Sequence, residues 1–199
     1  MFQLLKTENN QIKSLKERGS FTSLQRKESP PMIVGILSDT HNNLKRTATA
    51  ASILALQRCE AIFHCGDIGK EDVLWELAAG FPDPTPPIYC VIGNCDPEAI
   101  IWQGFTPKTG IHILGRFGEV THAGKCFAIV HGDDTTRLHA ALRSGKYDYV
   151  FTGHTHRPDT CQIANTLLIN PGAVHRAEEP TVATMDTETN KVNHMILSQ

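Results

Sequence analysis

No stretch of the 199-residue chain approaches the roughly 18 consecutive apolar residues that a membrane-spanning helix needs, so a helical membrane protein is not expected. Charge of one sign is missing too: 19 Lys and Arg stand against 21 Asp and Glu, a formal net charge of −2. A protein that holds nucleic acid by counterion release would show a basic excess, and nucleic acid is therefore not indicated as a partner. The six cysteines include no Cys-x-x-Cys pair and no framework spacing, which argues against a disulfide scaffold and for reduced thiols in a cytoplasmic protein. The opening Met1-Phe2-Gln3-Leu4-Leu5-Lys6 lacks a long apolar core followed by a small-residue cleavage site, so export is not expected. What is present is ordinary: 40% hydrophobic and 20% charged residues describe a globular composition and exclude collagen, coiled coil and wholesale disorder.

At about 150 residues per domain the length favours one domain with an appendage. Residues 1–31 are that appendage, a polar N-terminal extension with many Asn, Gln, Ser, Lys and Glu and few apolar positions. Pro30-Pro31 breaks the chain, and the composition shift makes Met32 a candidate biological start of the domain spanning 32–199. From there the apolar run Met32 to Leu37 predicts a buried first strand. Asn43 is placed to cap a helix through Leu44, Ala48, Ala51, Leu54 and Ala55. Ala61–His64 and Ile88–Ile92 read as further strands, Glu71–Ala79 as a second helix and Phe81–Pro87 as a Pro-rich loop. This alternation predicts a parallel sheet flanked by helices, with functional loops at the carboxyl ends of the strands. The back half carries many short strand-like runs from Ile111 to Leu197 and one helical stretch, Thr135–Arg143, which predicts a second, mainly antiparallel sheet packed on the first.

The strand ends carry the chemistry. Ser38-Asp39-Thr40-His41, Gly66-Asp67, Gly93-Asn94-Cys95-Asp96, His131-Gly132-Asp133 and Gly153-His154-Thr155-His156 each follow an apolar run. If the five loops share one sheet edge, four histidines, two aspartates and an asparagine meet. Carboxylate, imidazole and amide donors together suit Mn, Fe, Co, Ni or Zn, whereas Mg prefers oxygen alone. The motifs differ in weight. With ten histidines, an Asp-x-His arises by chance about 0.5 times in a chain of this composition and a Gly-His-x-His only about 0.04 times. Singly, Asp39 could be a helix cap, Asp67 and Asn94 turn residues, and His131, His154 and His156 structural histidines. Their joint occurrence in order carries the argument.

The ordered series Asp39-x-His41, Gly66-Asp67, Gly93-Asn94, His131-Gly132 and Gly153-His154-x-His156 resembles the calcineurin-like metallophosphoesterase superfamily, and within it the small bacterial and archaeal phosphodiesterases. The resemblance runs from about Met32 to the C-terminus. It implies an α/β fold, a four-layer α/β/β/α sandwich of two mixed sheets, with two divalent metal ions at one edge, Mn first and Fe, Co, Ni or Zn as alternatives. It implies that Asp39, His41 and His156 hold one metal, that Asn94, His131 and His154 hold the other, and that Asp67 bridges them. The implied reaction is hydrolysis of a small phosphodiester by a hydroxide bridging the two metals, with Asn94 also near the phosphate. Two alternatives accompany it: a non-catalytic protein-interaction scaffold on the same fold, and a phosphomonoesterase or nucleotide hydrolase.

The sequence departs from the family pattern at Cys95, where many members carry His, which implies substrates with good leaving groups or a proton from metal-bound water. Asp133 stands where a second His is common and is expected to orient a ligand histidine through its carboxylate. His154 and His156, two apart, are expected to project to one side of an extended segment. Arg176 is a candidate phosphate contact. His64, His112, His122, His139, His175 and His194 read as structural or surface residues, Cys65 and Cys90 as small core residues, and Trp75 and Trp102 as packing residues. Substrate choice is expected to rest with loops such as Phe81–Pro87 and Trp102–Thr109.

Overall fold

The structure is a computed structural model that describes residues 32–96 and 109–198; the N-terminal extension and Trp102 lie outside the described residues. Its elements run β1 (Ile33–Leu37), α1 (Leu44–Leu56), β2 (Ala61–His64), α2 (Glu71–Ala79), β3 (Ile88–Cys90), β4 (Ile111–Ile113), β5 (Phe117–His122), β6 (Lys125–Val130), α3 (Thr135–Arg143), β7 (Tyr149–Phe151), β8 (Pro158–Ile163), β9 (Thr166–Pro171), β10 (Thr181–Asp186) and β11 (Val192–Ile196). The three helices coincide with the segments that apolar spacing predicts. Asn43 caps α1, its side chain accepting from the Arg46 amide at 3.0 Å. That role leaves the carboxylate of Asp39 free for other work.

Two sheets form. One has the order β11-β10-β1-β2-β3-β4 and the other β5-β6-β7-β9-β8. β1 to β4 are mutually parallel, and so are β6, β7 and β9. The expected split into a parallel front half and an antiparallel back half therefore needs correction. β4 extends the first sheet in parallel, while β10 and β11 return to cover the other side of β1 in antiparallel register. The physical reason is the edge of β1: without β10 a fully buried strand would leave a row of unpaired backbone groups. The second sheet is antiparallel only at its margins, where β5 pairs β6 and β8 pairs β9.

Side-chain alternation sorts the core into three layers. Val34, Ile36, Ala61 and Phe63 of the first sheet face Phe127, Ile129, Tyr149, Phe151 and Ile169 of the second. Ile62, Ile88 and Cys90, on the opposite face of the first sheet, pack on Ala50, Ala51 and Leu54 of α1 and on Val73, Leu74 and Leu77 of α2. Ala128, Val130 and Val150 turn outward from the second sheet to Ala141 and Leu142 of α3. Helix, sheet, sheet, helix is the four-layer sandwich. Trp75 does not join any of these layers as a buried residue; it is 46% exposed on α2. Among the described residues no helix is long and apolar enough to cross a membrane.

The centre of the sandwich is aromatic. Phe63 is fully buried, with ring centroids 5.0 Å from Phe127, 5.0 Å from Phe151 and 5.3 Å from Tyr89. Removing it opens a cavity between two sheets that cannot collapse independently. Phe63→Ala is expected to lower stability by about 3–5 kcal/mol, seen as a drop in the denaturant midpoint, whereas Leu56→Ala, at a position 79% exposed, is expected to stay within about 0.5 kcal/mol.

Candidate metal centre

The carboxyl ends of the two parallel strand sets deliver their loops to one edge. β1 leads into Asp39 and His41, β2 into Asp67, β3 into Asn94, β6 into His131 and β7 into His154 and His156. Backbone hydrogen bonds then sew the loops together beyond the strands. The amides of Asp39, His41 and Asn42 donate to the carbonyls of Gly66, Asp67 and Ile68, each at 3.0 Å. The Gly153 amide donates to the His131 carbonyl at 2.8 Å, and the Val174 amide to that of Ser38 at 3.0 Å.

Five side chains converge. His156 Nε2 lies 3.0 Å from Asp39 Oδ1, His41 Nε2 lies 3.7 Å from Asp39 Oδ1 and 3.8 Å from Asp67 Oδ2, and His131 Nε2 lies 3.4 Å from Asp67 Oδ1. The Nε2 atoms of His41 and His156 face one another at 3.5 Å. Two of these rings are held by their far nitrogen: His131 Nδ1 donates to the Cys65 carbonyl at 2.8 Å and His156 Nδ1 to the Arg176 carbonyl at 3.1 Å. Such a bond fixes the tautomer and leaves the Nε2 lone pair aimed inward, the arrangement typical of metal-ligating histidines. Among the described residues, the buried side-chain atoms with no hydrogen-bond partner are Ser38 Oγ, Asp39 Oδ1 and His131 Nε2. All belong to this edge, and orphaned buried polar atoms are costly unless something else satisfies them. The overlapping trios Asp39, His41, His156 and Asp39, Asp67, His131 each bring their donor atoms within 4.8 Å of one another. This donor set fits divalent cations.

The electrostatics are those of an anionic pocket. Burial opposes ionisation of Asp67, but His131 and the Cys95 amide, which donates to Asp67 Oδ1 at 2.8 Å, outweigh it and hold the carboxyl well below the usual carboxylate range. Burial likewise disfavours a charged His131, yet the carboxylates of Asp67 and Asp39 reverse the balance and raise its pKa. Burial, then the Arg176 guanidinium, push His41 below its ordinary value.

The backbone is strained where these residues sit. Asp39, His41, Asp67, His154 and His156 all adopt positive φ, between 41° and 67°, a region that non-glycine residues rarely enter and that clusters at functional sites. The extended segment expected for His154 and His156 is therefore a pair of left-handed turns. Its reason is visible in Asn170, whose Nδ2 donates to the Gly153 carbonyl at 2.8 Å and to Thr155 Oγ1 at 3.1 Å, folding the segment back. Gly93 has no room for a side chain, since a methyl group there would overlap the Asp67 carboxylate and amide.

His154 and Asn94 stand beside the five rather than among them. The ring of His154 packs edge-on against that of His131 with centroids 5.1 Å apart, and its amide donates to Asp39 Oδ2 at 3.2 Å. Asn94 is exposed, its Nδ2 facing Cys95 Sγ at 3.5 Å. Asp133 does not orient a ligand histidine. It pairs with Arg116, whose other nitrogen donates to the Gly93 carbonyl at 3.2 Å, so the carboxylate is drawn to the nearest guanidinium and a carbonyl orients His131 instead.

Two residues at this edge carry roles that the motifs did not assign to them. Asp96 accepts from the amides of Gly69 and Gly93 at 2.7 and 2.8 Å, closing the Asp67 loop on the Asn94 loop. His64, fully buried, accepts from the Gly66 amide at Nδ1 (3.2 Å) and donates from Nε2 to Thr40 Oγ1 (3.0 Å), which in turn donates to the Ile68 carbonyl. It thereby ties the loop of Asp39 and His41 to that of Asp67, and burial pushes its pKa down to about 3 so that it stays neutral. The loop Phe81–Pro87 leads into the amino end of β3, the far end from this edge, and is not placed to select substrate. Strand polarity decides this, since only the carboxyl ends of β1 to β3 reach the site.

Comparison with known proteins places these features in context. The family described as the calcineurin-like phosphoesterase superfamily domain matches residues 32–190. A phosphodiesterase of Methanocaldococcus jannaschii is 31% identical over 169 residues, covering 83% of this chain and 99% of that protein. A probable metallophosphoesterase of Methanothermobacter thermautotrophicus is 28% identical over 169 residues, covering 83% of this chain and 92% of that protein. Among solved structures an archaeal phosphodiesterase superposes with a TM-score of 0.75 at 30% identity, covering 83% of this chain and all of that one. The vacuolar protein sorting 29 of Cryptosporidium parvum shares the fold at TM-score 0.57 and 18% identity, covering 83% of this chain and 96% of that one.

His64→Ala leaves the Gly66 amide and one lone pair of Thr40 without partners, a cost of about 1–3 kcal/mol. With the two loops no longer tied, Mn²⁺ affinity measured by calorimetry is expected to fall about 10- to 100-fold; His139→Ala on the exposed face of α3 is expected to leave it unchanged.

Proposed function

The chain belongs to the calcineurin-like phosphoesterase superfamily, and on that premise we propose that it is a metal-dependent phosphodiesterase whose reaction takes place where Asp39, His41, Asp67, His131 and His156 meet. The observation that carries this reading is the convergence of three imidazole nitrogens on two carboxylates, with Asp39 Oδ1 and His131 Nε2 buried and unpartnered. In this assignment Asp39, His41 and His156 hold one cation, His131, His154 and Asn94 hold a second, and Asp67 reaches both. Asn94, whose amide faces Cys95 Sγ at 3.5 Å, would have to turn toward His131 to take part. Two divalent cations held by these residues would supply a more acidic water and positive charge opposite the phosphoryl oxygens of the substrate. Mixed oxygen and nitrogen donors support Mn among the candidate metals, with Fe, Co, Ni and Zn chemically admissible.

The chain's own groups do the rest. Asp67 is held ionised, His131 and His156 are oriented by the hydrogen bonds their Nδ1 atoms make to the Cys65 and Arg176 carbonyls, and the loops are tied to one another by backbone hydrogen bonds. Cys95 is exposed beside Asp67, which raises the thiol pKa, burial adding to the effect. A thiol in place of an imidazolium lacks a proton poised near neutral pH for an alkoxide leaving group. This supports diesters with acidic leaving groups over alkyl phosphate monoesters. The strained ligand loops favour catalysis over the scaffold alternative, because a docking surface has no need of left-handed aspartates and histidines. Buried free thiols at Cys59, Cys65 and Cys90 are in keeping with a reducing compartment, and we assign the protein to the cytoplasm.

Chelator-stripped protein is expected to hydrolyse bis(4-nitrophenyl) phosphate only after Mn²⁺ is added. Asp67→Asn is expected to cost on the order of 100-fold or more in kcat, the scale of losing one preorganised charged group. Absence of turnover with every divalent metal, in protein shown to be folded, would contradict the assignment. In the same assay the aryl diester is expected to outpace an alkyl monoester, and a monoester rate equal to or above it would refute the role given to Cys95.

A further inference from the structure

An open cavity of about 600 Å³ lies against the metal edge, a size in the range of small-ligand sites, about 300–1,000 Å³. His156 is a wall common to both. The remaining lining includes Thr155, Arg157, Arg176, Glu178 and Glu179, and no aromatic side chain. Resting on the phosphodiesterase reading, we propose that this cavity seats the ester arm that phosphorus retains, that Arg176 grips a phosphoryl oxygen at its inner wall, and that the arm is hydroxylated, of the glycerol or sugar kind, rather than aromatic.

Arg176 is anchored to the site by its backbone and lines the cavity beside His156. Its carbonyl accepts from His156 Nδ1 at 3.1 Å, and its φ of +58° is a conformation that a long side chain tolerates only where its surroundings impose it. Among the described residues its side chain has no carboxylate ion-pair partner. A guanidinium with no carboxylate partner, on the cavity wall it shares with His156, is left for an anion, and a phosphoryl group beside the metal edge is that anion. Guanidinium geometry suits it through paired N–H donors.

The outer wall selects the arm. Glu178 and Glu179 are exposed and, among the described residues, neither makes a side-chain hydrogen bond or ion pair. Carboxylates with free lone pairs accept from hydroxyl groups, and they repel an arm bearing a further phosphate. A nucleobase or phenyl arm finds no Phe, Tyr or Trp to stack on, and the one ring in the wall, His156, is turned to Asp39 and the Arg176 carbonyl, so the arm forgoes the contact that usually binds it. In the reaction water adds to phosphorus and the bond to the leaving arm breaks. That arm departs with the electron pair and takes up a proton. The retained arm keeps its P–O bond and leaves as a phosphate monoester.

The test holds the leaving group constant. With Mn²⁺-loaded protein, kcat/KM for glyceryl 4-nitrophenyl phosphate is expected to exceed that for phenyl 4-nitrophenyl phosphate by about 10-fold, the scale of one or two hydrogen bonds. The double variant Glu178→Ala/Glu179→Ala is expected to bring that ratio within about 3-fold of unity. Arg176→Ala is expected to raise KM for both substrates about 10-fold or more, with Arg176→Lys recovering part of the loss. Calorimetry is expected to show glycerol 3-phosphate, the retained-arm product, binding more tightly than phenyl phosphate. A wild-type ratio at or below unity overturns the cavity assignment while hydrolysis of the phenyl diester still upholds the phosphodiesterase reading. Persistence of the glyceryl preference in the double variant overturns it as well. Hydrolysis of neither diester overturns both.

Discussion

Two carboxylates, Asp39 and Asp67, are buried within reach of three imidazole nitrogens, and the rest of the structure is organised around holding them there. Left to themselves the groups would turn away, since buried carboxylates and unpaired lone pairs are each unfavourable. Backbone strain makes the arrangement still less favourable: five of the residues concerned have positive φ. A protein sustains such an edge only if the surrounding elements leave it no alternative, and on the proposed reading a divalent pair relieves it.

The sandwich supplies that rigidity. Parallel strands finish side by side, so β1, β2 and β3 present their loops at one level, and β6 and β7 do the same from the second sheet. The aromatic layer of Phe63, Phe127, Phe151 and Tyr149 fixes the distance between the two sets. Further hydrogen bonds then set the loops one by one: Asn43 relieves Asp39 of capping duty, His64 joins the Asp39 loop to the Asp67 loop, Asp96 joins Asp67 to Asn94, and Asn170 folds the His154–His156 turn. Polar residues at strand ends, scattered in sequence, become one construction.

Much of this is legible in the chain. The three helices follow from capping and apolar spacing, and the five side chains that converge are among the seven named by the ordered series of short motifs, because each motif sits where an apolar run stops; His154 and Asn94 lie beside them. What the sequence hides is of another kind. Sheet membership of β4, β10 and β11 depends on which backbone edge needs covering, a property of the assembled sheet rather than of any segment. The left-handed turns at His154 and His156 arise from Asn170, about 15 residues further on, so a local reading gives an extended segment. His64 reads as an ordinary strand-end histidine, and only the position of Thr40 across the loop gives it its role. Asp133 was expected to support a histidine by proximity in sequence, and Arg116 claims it by proximity in space.

Function follows from the same geometry at two ranges. Within about 4 Å the donors are placed to hold the proposed cations, and the cavity beyond His156 is the surface on which the proposed substrate arm would rest. The central claim is that two divalent ions share Asp67. Electron paramagnetic resonance during Mn²⁺ titration of metal-stripped protein tests it most directly. The account predicts two ions per chain with the multiline spectrum of an exchange-coupled pair, replaced in Asp67→Asn by uncoupled Mn²⁺. A single bound ion, or two ions without coupling in the unaltered protein, would contradict it.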